Sequence, residues 1–185
     1  MDSGALSVFR QCPIKSGEST AIVHGEVVHL VNASNATTIA KQTATGDTST
    51  DIDMAGIFLG CRYTDPNSGQ LTFSQIWPAN TVASDAMAYV VDDPNVLFTI
   101  QASAAITNTR DIYGKNSVFV QTAGNTTLGI ARVSLNVSGI STSAKNPIKI
   151  IDYLGGDLGD ESGTAFPILV CKFNYHQLSK IAGAA

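Results

Sequence analysis

The stretch YVVDDPNVLFTIQ, Tyr89 to Gln101, decides the fold class. Asp92, Asp93, Pro94 and Asn95 carry turn chemistry, because proline presets its φ angle and Asx side chains bond back to nearby backbone. On the outgoing arm Val96, Phe98 and Ile100 alternate with Leu97, Thr99 and Gln101, which leaves one face wholly apolar. The stretch is therefore expected to be a core hairpin, two strands folded about a tight turn.

The same period of two recurs on both sides of it. GIFLGCRYT places Ile57, Leu59, Cys61 and Tyr63 on one face, DPNSG turns the chain, and QLTFSQIW returns Leu71, Phe73, Gln75 and Trp77. Gly56 and Gly60, on the opposite face, permit a close backbone approach or a bulge. Upstream, AIVHGEVVHLV spaces Val23, Val27, His29 and Val31 for strands around a turn at Gly25. Downstream, LGIARVSLNV is a half-buried strand, STSAKNP a loop, and IKIIDYL and FPILVCKFN are the last two strong strands. Ala102–Ile106 has the composition to start a short helix before Thr, Asn and Gly dilute it. The expected fold is all-β, an antiparallel β-sandwich or β-barrel built from hairpins, with little helix and an extended N-terminal arm. Residues 1–20 form that arm or a first strand, and 21–185 a single β-rich domain, with a division into two packed β units placed near 78–85.

Composition bounds what such a domain does. Charged residues make up 14% of the 185 residues, against roughly 25% in an average soluble domain. Ser, Thr, Asn, Ala and Gly fill the deficit and give the weakly charged surface that often meets other protein. The net charge is −4, and the 11 basic residues are scattered, so no cationic stripe exists to displace counterions from phosphates. Direct nucleic-acid binding is not expected. Apolar runs such as AMAYVV and FPILVC fall far short of the ~20 residues that span a bilayer. The N-terminus carries Asp2 where a signal peptide carries base, so a soluble, unsecreted protein is expected, with no membrane partner. Sequons at Asn32, Asn35, Asn125 and Asn136 would then go unused.

Candidate chemistry is sparse. Cys12, Cys61 and Cys171 lie far apart and form no CxxC pair, which fits buried free thiols better than a disulfide framework or a zinc knuckle. His24 and His29 lack a second ligand pair nearby. Asp51 with Asp53, and Asp157 with Asp160 and Glu161, match no calcium-ligand ladder. Gly114 and Lys115 resemble the end of a phosphate loop, but Thr109 and Asn116 stand where that loop needs Gly and Ser or Thr. Pairing His176 with Cys61 or Cys171 is the one way to draw a nucleophile, and both cysteines alternate with large apolar residues, where burial makes a thiol inert. No catalytic residue, cofactor site or metal site is assigned, and the chain is not expected to be an enzyme.

Between Tyr89 and Gln177 the ordered text VVDDPNVLFTIQ, DIYGKN (Asp111–Asn116), TAGNTTLGIARVSLN (Thr122–Asn136), IKIIDYL and ILVCKFNYHQ resembles a family of virion proteins of tailed bacteriophages, over about half the chain. GIFLGCRY in the N-terminal half is similar to it as well. The resemblance implies a capsid decoration or cement protein, made in the host cytoplasm. Such a protein binds the major capsid protein on the outside of the particle and braces the shell by bridging its subunits, without catalysis. Self-association, with a trimer favoured by the symmetry of a shell, belongs to the same expectation. The alternative is a host-surface or glycan-binding module of a head or tail fibre, which would need exposed aromatics for sugar stacking.

Overall fold

The computed structural model describes residues 9–33, 36–43, 54–107, 110–154 and 164–179. Nearly all of its regular structure is antiparallel strand. The first half forms a six-stranded sheet from β1 (Phe9–Pro13), β3 (Val27–Ala33), β4 (Ala36–Lys41), β5 (Gly56–Thr64), β6 (Leu71–Ser74) and β8 (Met87–Val91). Its order is β1-β8-β5-β3-β4, with β6 paired to the far end of β5. Two short strands, β2 (Ile22–Val23) and β7 (Ile76–Trp77), pair with each other beside it. The two edges of the main sheet approach at a parallel bridge between Ile14 and Ile39, so the sheet curls around its own core. Phe58, Trp77, Ile22, Val28, Ile39 and Val90 fill that core, each at most 1% exposed. Tyr63 meets the Trp77 ring edge-on at 5.1 Å.

The second half builds a four-stranded sheet, β10-β13-β14-β9, from β9 (Phe98–Gln101), β10 (Asn116–Ser117), β13 (Ile148–Tyr153) and β14 (Ile168–Phe173). A hairpin of β11 (Phe119–Asn125) and β12 (Ile130–Leu135) packs onto it. Phe119, Leu135, Ile148, Ile150, Tyr153 and Leu169 are the centre of this second core, which also takes in Val27 and Met54 from the first half.

The deciding stretch is turned as expected but not paired as expected. Asn95 N–H donates to Asp93 Oδ1 at 2.8 Å and Val96 N–H to Asp93 O at 3.1 Å, so the Asx turn is real. Its arms separate. β8 pairs with β1 and β5, and β9 pairs with β14. Tyr89–Gln101 is the corner between the two sheets rather than a hairpin, because each arm finds a longer partner in its own half. Asp92 is held by Arg10 of β1 at 2.7 Å, which ties the incoming side of the corner to the first sheet.

Two further expectations change. Gly60 sits at φ +151° beside a register shift between Phe58 and Gly60 against β8. A β-carbon there would lie 2.8 Å from Ser74 O, in a backbone region that side chains rarely adopt. The bulge flips the parity of β5, so Phe58 shares the inner face with Cys61 and Tyr63, while Ile57 and Leu59 turn outward half-buried. The return arm is also broken: Leu71 and Phe73 are 54% and 67% exposed on β6, and Trp77 is buried on β7. Ala102–Ile106 forms no helix. STSAKNP is a loop as expected, preceded by a single 3-10 turn at Val137–Gly139 whose cap Asn136 accepts from Ser138 N–H. The expected turn at Gly46 and Asp47 and the acidic residues Asp51, Asp53, Asp157, Asp160 and Glu161 lie outside the described residues.

Candidate interaction surface

The side chains with any claim to chemistry are placed apart. Cys12, Cys61 and Cys171 are free and buried. Burial pushes the Cys61 and Cys171 thiols up to about 12, and Cys61 Sγ faces the carbonyl of Ile76 at 3.5 Å. His176 is 1% exposed, packed against the Phe173 ring, and its Nδ1 accepts Leu178 N–H at 3.2 Å. That bond leaves the ring proton on Nε2. Burial holds the imidazole below its usual pKa, against a weaker pull from a backbone hydrogen bond at Ala55. The ring thus engages backbone and an aromatic neighbour rather than a thiol. His24 Nδ1 lies 2.9 Å from Leu59 O on the exterior. Among the described residues, no cluster of three His, Cys, Asp or Glu side chains is placed to hold a metal, and no helix is long and apolar enough to cross a membrane.

Polar chemistry concentrates instead where the halves meet. Glu26, fully buried, accepts Val23 N–H at 3.1 Å and pairs with Lys41 Nζ at 2.5 Å. Lys41 Nζ also donates to Thr122 O of β11 at 3.2 Å. Beside it, Gln121 Oε1 accepts Val27 N–H at 2.8 Å, and its Nε2 donates to Val27 O at 3.1 Å and Gln42 O at 2.8 Å. One amide side chain thus bridges Val27 and Gln42 at the end of the β3–β4 ladder, where Gln42 N–H also donates to Val27 O at 2.9 Å. Gln177 repeats the device on Leu30, accepting its N–H at 2.6 Å and donating to its carbonyl at 3.2 Å. Gly124 lets β11 come this close, since a β-carbon there would fall 2.3 Å from Val23 Cγ2. A cavity of 160 Å³ lies along the same junction, lined by Val27, Ile57, Phe98 and Ile100 together with the uncharged polar Thr99 and Gln101 among others, and no ionisable side chain borders it among the described residues. This is an internal seam, built to fix the two sheets together.

The outward face of the first sheet is its opposite. Strand register places Phe9 across from Val91, Gln11 from Tyr89, Tyr89 from Gly60, and Arg62 from both Met87 and Phe73. Residues directly opposite one another point to the same side. Phe9, Tyr89, Leu59, Met87, Phe73 and Leu71 therefore share one surface, on four adjacent strands. Phe9 is 45% exposed and meets the Tyr89 ring edge-on at 6.1 Å. Two shallow hollows of 270 and 260 Å³ flank Tyr89, one bordered by Leu59, Phe73 and Gln75, the other by Phe9 and Leu59. The one cation among these positions, Arg62, leans on Gln11 at 3.5 Å. Large apolar side chains grouped on a rigid sheet and left in water mark an association site more often than single exposed residues do.

Simple alternation along the sequence points Leu71 and Phe73 inward, and so hides this surface. The hairpin register decides it: Leu71 stands across from Thr64 and Phe73 from Arg62, on the face opposite the buried Cys61 and Tyr63. No family model matches the chain, and no curated protein or solved structure matches it significantly.

Proposed function

We propose that this chain is a structural protein of a tailed-bacteriophage particle, of the capsid decoration type, bound to the outside of the shell through the outward face of its first sheet. The observation that carries the reading is that face: exposed Phe9 and Phe73 with half-buried Leu59 and Tyr89 between them on paired strands, and Arg62 as the one cation among them. The likeness of the Tyr89–Gln177 text to phage virion proteins supplies the kind of partner. The buried thiols, and a junction cavity that no ionisable side chain borders among the described residues, favour a binding role over a catalytic one.

Such a protein works by bridging. A shell under internal pressure fails where its subunits separate, and a protein bound across the joint adds contact area that must be lost first. A standard interface buries ~1,600 Å² in total, and the same contact repeated over a shell becomes avid even when each copy binds weakly. The β scaffold suits this role because the exposed side chains stand on paired strands and are ordered before binding. Quantitative mass spectrometry of purified particles tests the role. Copy number on the scale of the major capsid protein, with binding of purified protein to empty expanded shells and a rise in their melting temperature, is the expected result. Absence from the particle, or presence in only a few copies, overturns it.

A further inference from the structure

Strand β6 has a second property besides its exposed side chains. Asp65 N–H donates to Gln70 O at 2.9 Å, and Thr64 N–H turns away from β6 to the Asp85 carboxylate at 3.1 Å. In an antiparallel ladder hydrogen-bonded pairs alternate, so Tyr63 with Thr72 and Cys61 with Ser74 exchange the bonds of this hairpin. The N–H and C=O groups of Leu71 and Phe73 therefore point to the open side, where β6 has no neighbouring strand among the described residues. The same two residues carry two of the most exposed large apolar side chains in the described chain. Natural edges are usually blunted by Lys, Pro or a bulge. Leu71-Thr72-Phe73-Ser74 has none of these, whereas the edge strand β1 carries Arg10 and Pro13 and runs against β4 at the Ile14 bridge.

The pattern of β6 also names its partner. Around Thr72 the strand is symmetric in type, apolar on each side of a small polar residue, so an antiparallel copy of itself matches it. We propose that two copies of this chain pair through β6, antiparallel, about a twofold axis at Thr72. Leu71 of each copy then faces Phe73 of the other as a hydrogen-bonded pair, using the groups that point outward. Thr72 faces Thr72 as the intervening non-bonded pair. The contact is isologous and closes on itself. It makes pairs, whereas the threefold assembly expected from shell symmetry requires a head-to-tail contact. The pairing also joins two outward faces into one surface, a bivalent form of the binder described above. It does not depend on what that surface binds.

Register-specific crosslinking tests the pairing. The native thiols are buried, so Thr72→Cys supplies a single accessible one. On the axis, opposed β-carbons are ~4.5–5.5 Å apart, within reach of a disulfide. Gln70→Cys stands two residues off the axis, about 13 Å from its mate at ~3.3 Å per residue. Mild oxidation of Thr72→Cys should give a covalent dimer, and Gln70→Cys should stay monomeric. Sedimentation of the unmodified chain should show a concentration-dependent dimer that Phe73→Glu abolishes. Because Phe73 is largely exposed, that variant should keep its melting temperature. A chain that sediments as a monomer or a trimer at every concentration, or that crosslinks equally at both positions, overturns the pairing. Capsid binding is read separately, so either proposal can fail without the other.

Discussion

The seam between the two halves and the outward face of the first sheet break the usual rule in opposite directions. At the seam a carboxylate and an ammonium, Glu26 and Lys41, are buried, and the half-buried amide of Gln121 bonds to the buried backbone of Val27 and Gln42. On the face, Phe9, Phe73 and Leu71 stand in water. Buried polar groups are tolerated where every bond is made, and they fix one arrangement of neighbours because any other leaves them unpaired. Exposed apolar groups fix nothing within the chain. The seam therefore concerns how the protein holds itself, and the face is the surface proposed to meet a partner.

That contrast is open to attack from the seam first. Lys41→Met leaves Glu26 charged and buried without its counter-ion, and removing one partner of such a pair costs ~3–5 kcal/mol. Urea unfolding should show this loss, and adding Glu26→Leu should recover part of it. If Lys41→Met is neutral, the pair is not a structural constraint. Gln121→Ala comes next, since it strips partners from the backbone of Val27 and Gln42. A buried group left unsatisfied costs ~1–3 kcal/mol. Gln121→Glu keeps an acceptor for Val27 N–H but sets a carboxylate against the carbonyls of Val27 and Gln42, so it should be no more stable than alanine.

Acid should find the seam from another side. His176 is held neutral by burial, with a folded pKa below the ordinary value of 6.5. The unfolded chain thus takes up its proton first as pH falls. Stability should be complete above about pH 6.5 and should decline on acidification toward the lowered folded value. Arg10, Asp92 and Asp93 face the ring as the nearby charges and modulate that slope. Melting curves of His176→Gln should lose the His-linked part of the decline. An unchanged profile would mean that this side chain is not the proton-sensitive group. The smallest effect on stability belongs to the face: Phe73→Ser should shift unfolding by no more than ~0.5 kcal/mol.

The two regions also differ in how far the sequence discloses them. Period-two alternation marks β5, β12, β13 and β14 in the text, because a sheet with one buried face imposes it residue by residue. Pairing is another matter. The Asx chemistry of Asp93 is the same in a hairpin and in a corner, so local residues cannot say that β8 and β9 part company. A single extra residue beside Gly60 turns Ile57 and Leu59 outward, and the turn register, which pairs Leu71 with Thr64 and Phe73 with Arg62, puts those two side chains outside as well. The glutamine clamps are invisible in sequence, since Gln121 and Gln177 acquire their roles only when Val27 and Leu30 arrive from 94 and 147 residues away. Gly124 permits the close approach of β11, yet a glycine ahead of a polar turn reads the same whether or not another strand lies against it.

The most direct measurement is co-sedimentation of the purified protein with empty expanded phage shells, comparing the native chain with a Phe9→Ser, Tyr89→Ser double variant, whose changes lie on the outward face but off β6. The native chain should bind saturably, and the variant should remain in the supernatant while keeping a native-like unfolding transition. Equal binding by both chains would contradict the assignment of the outward face as the surface that meets the capsid.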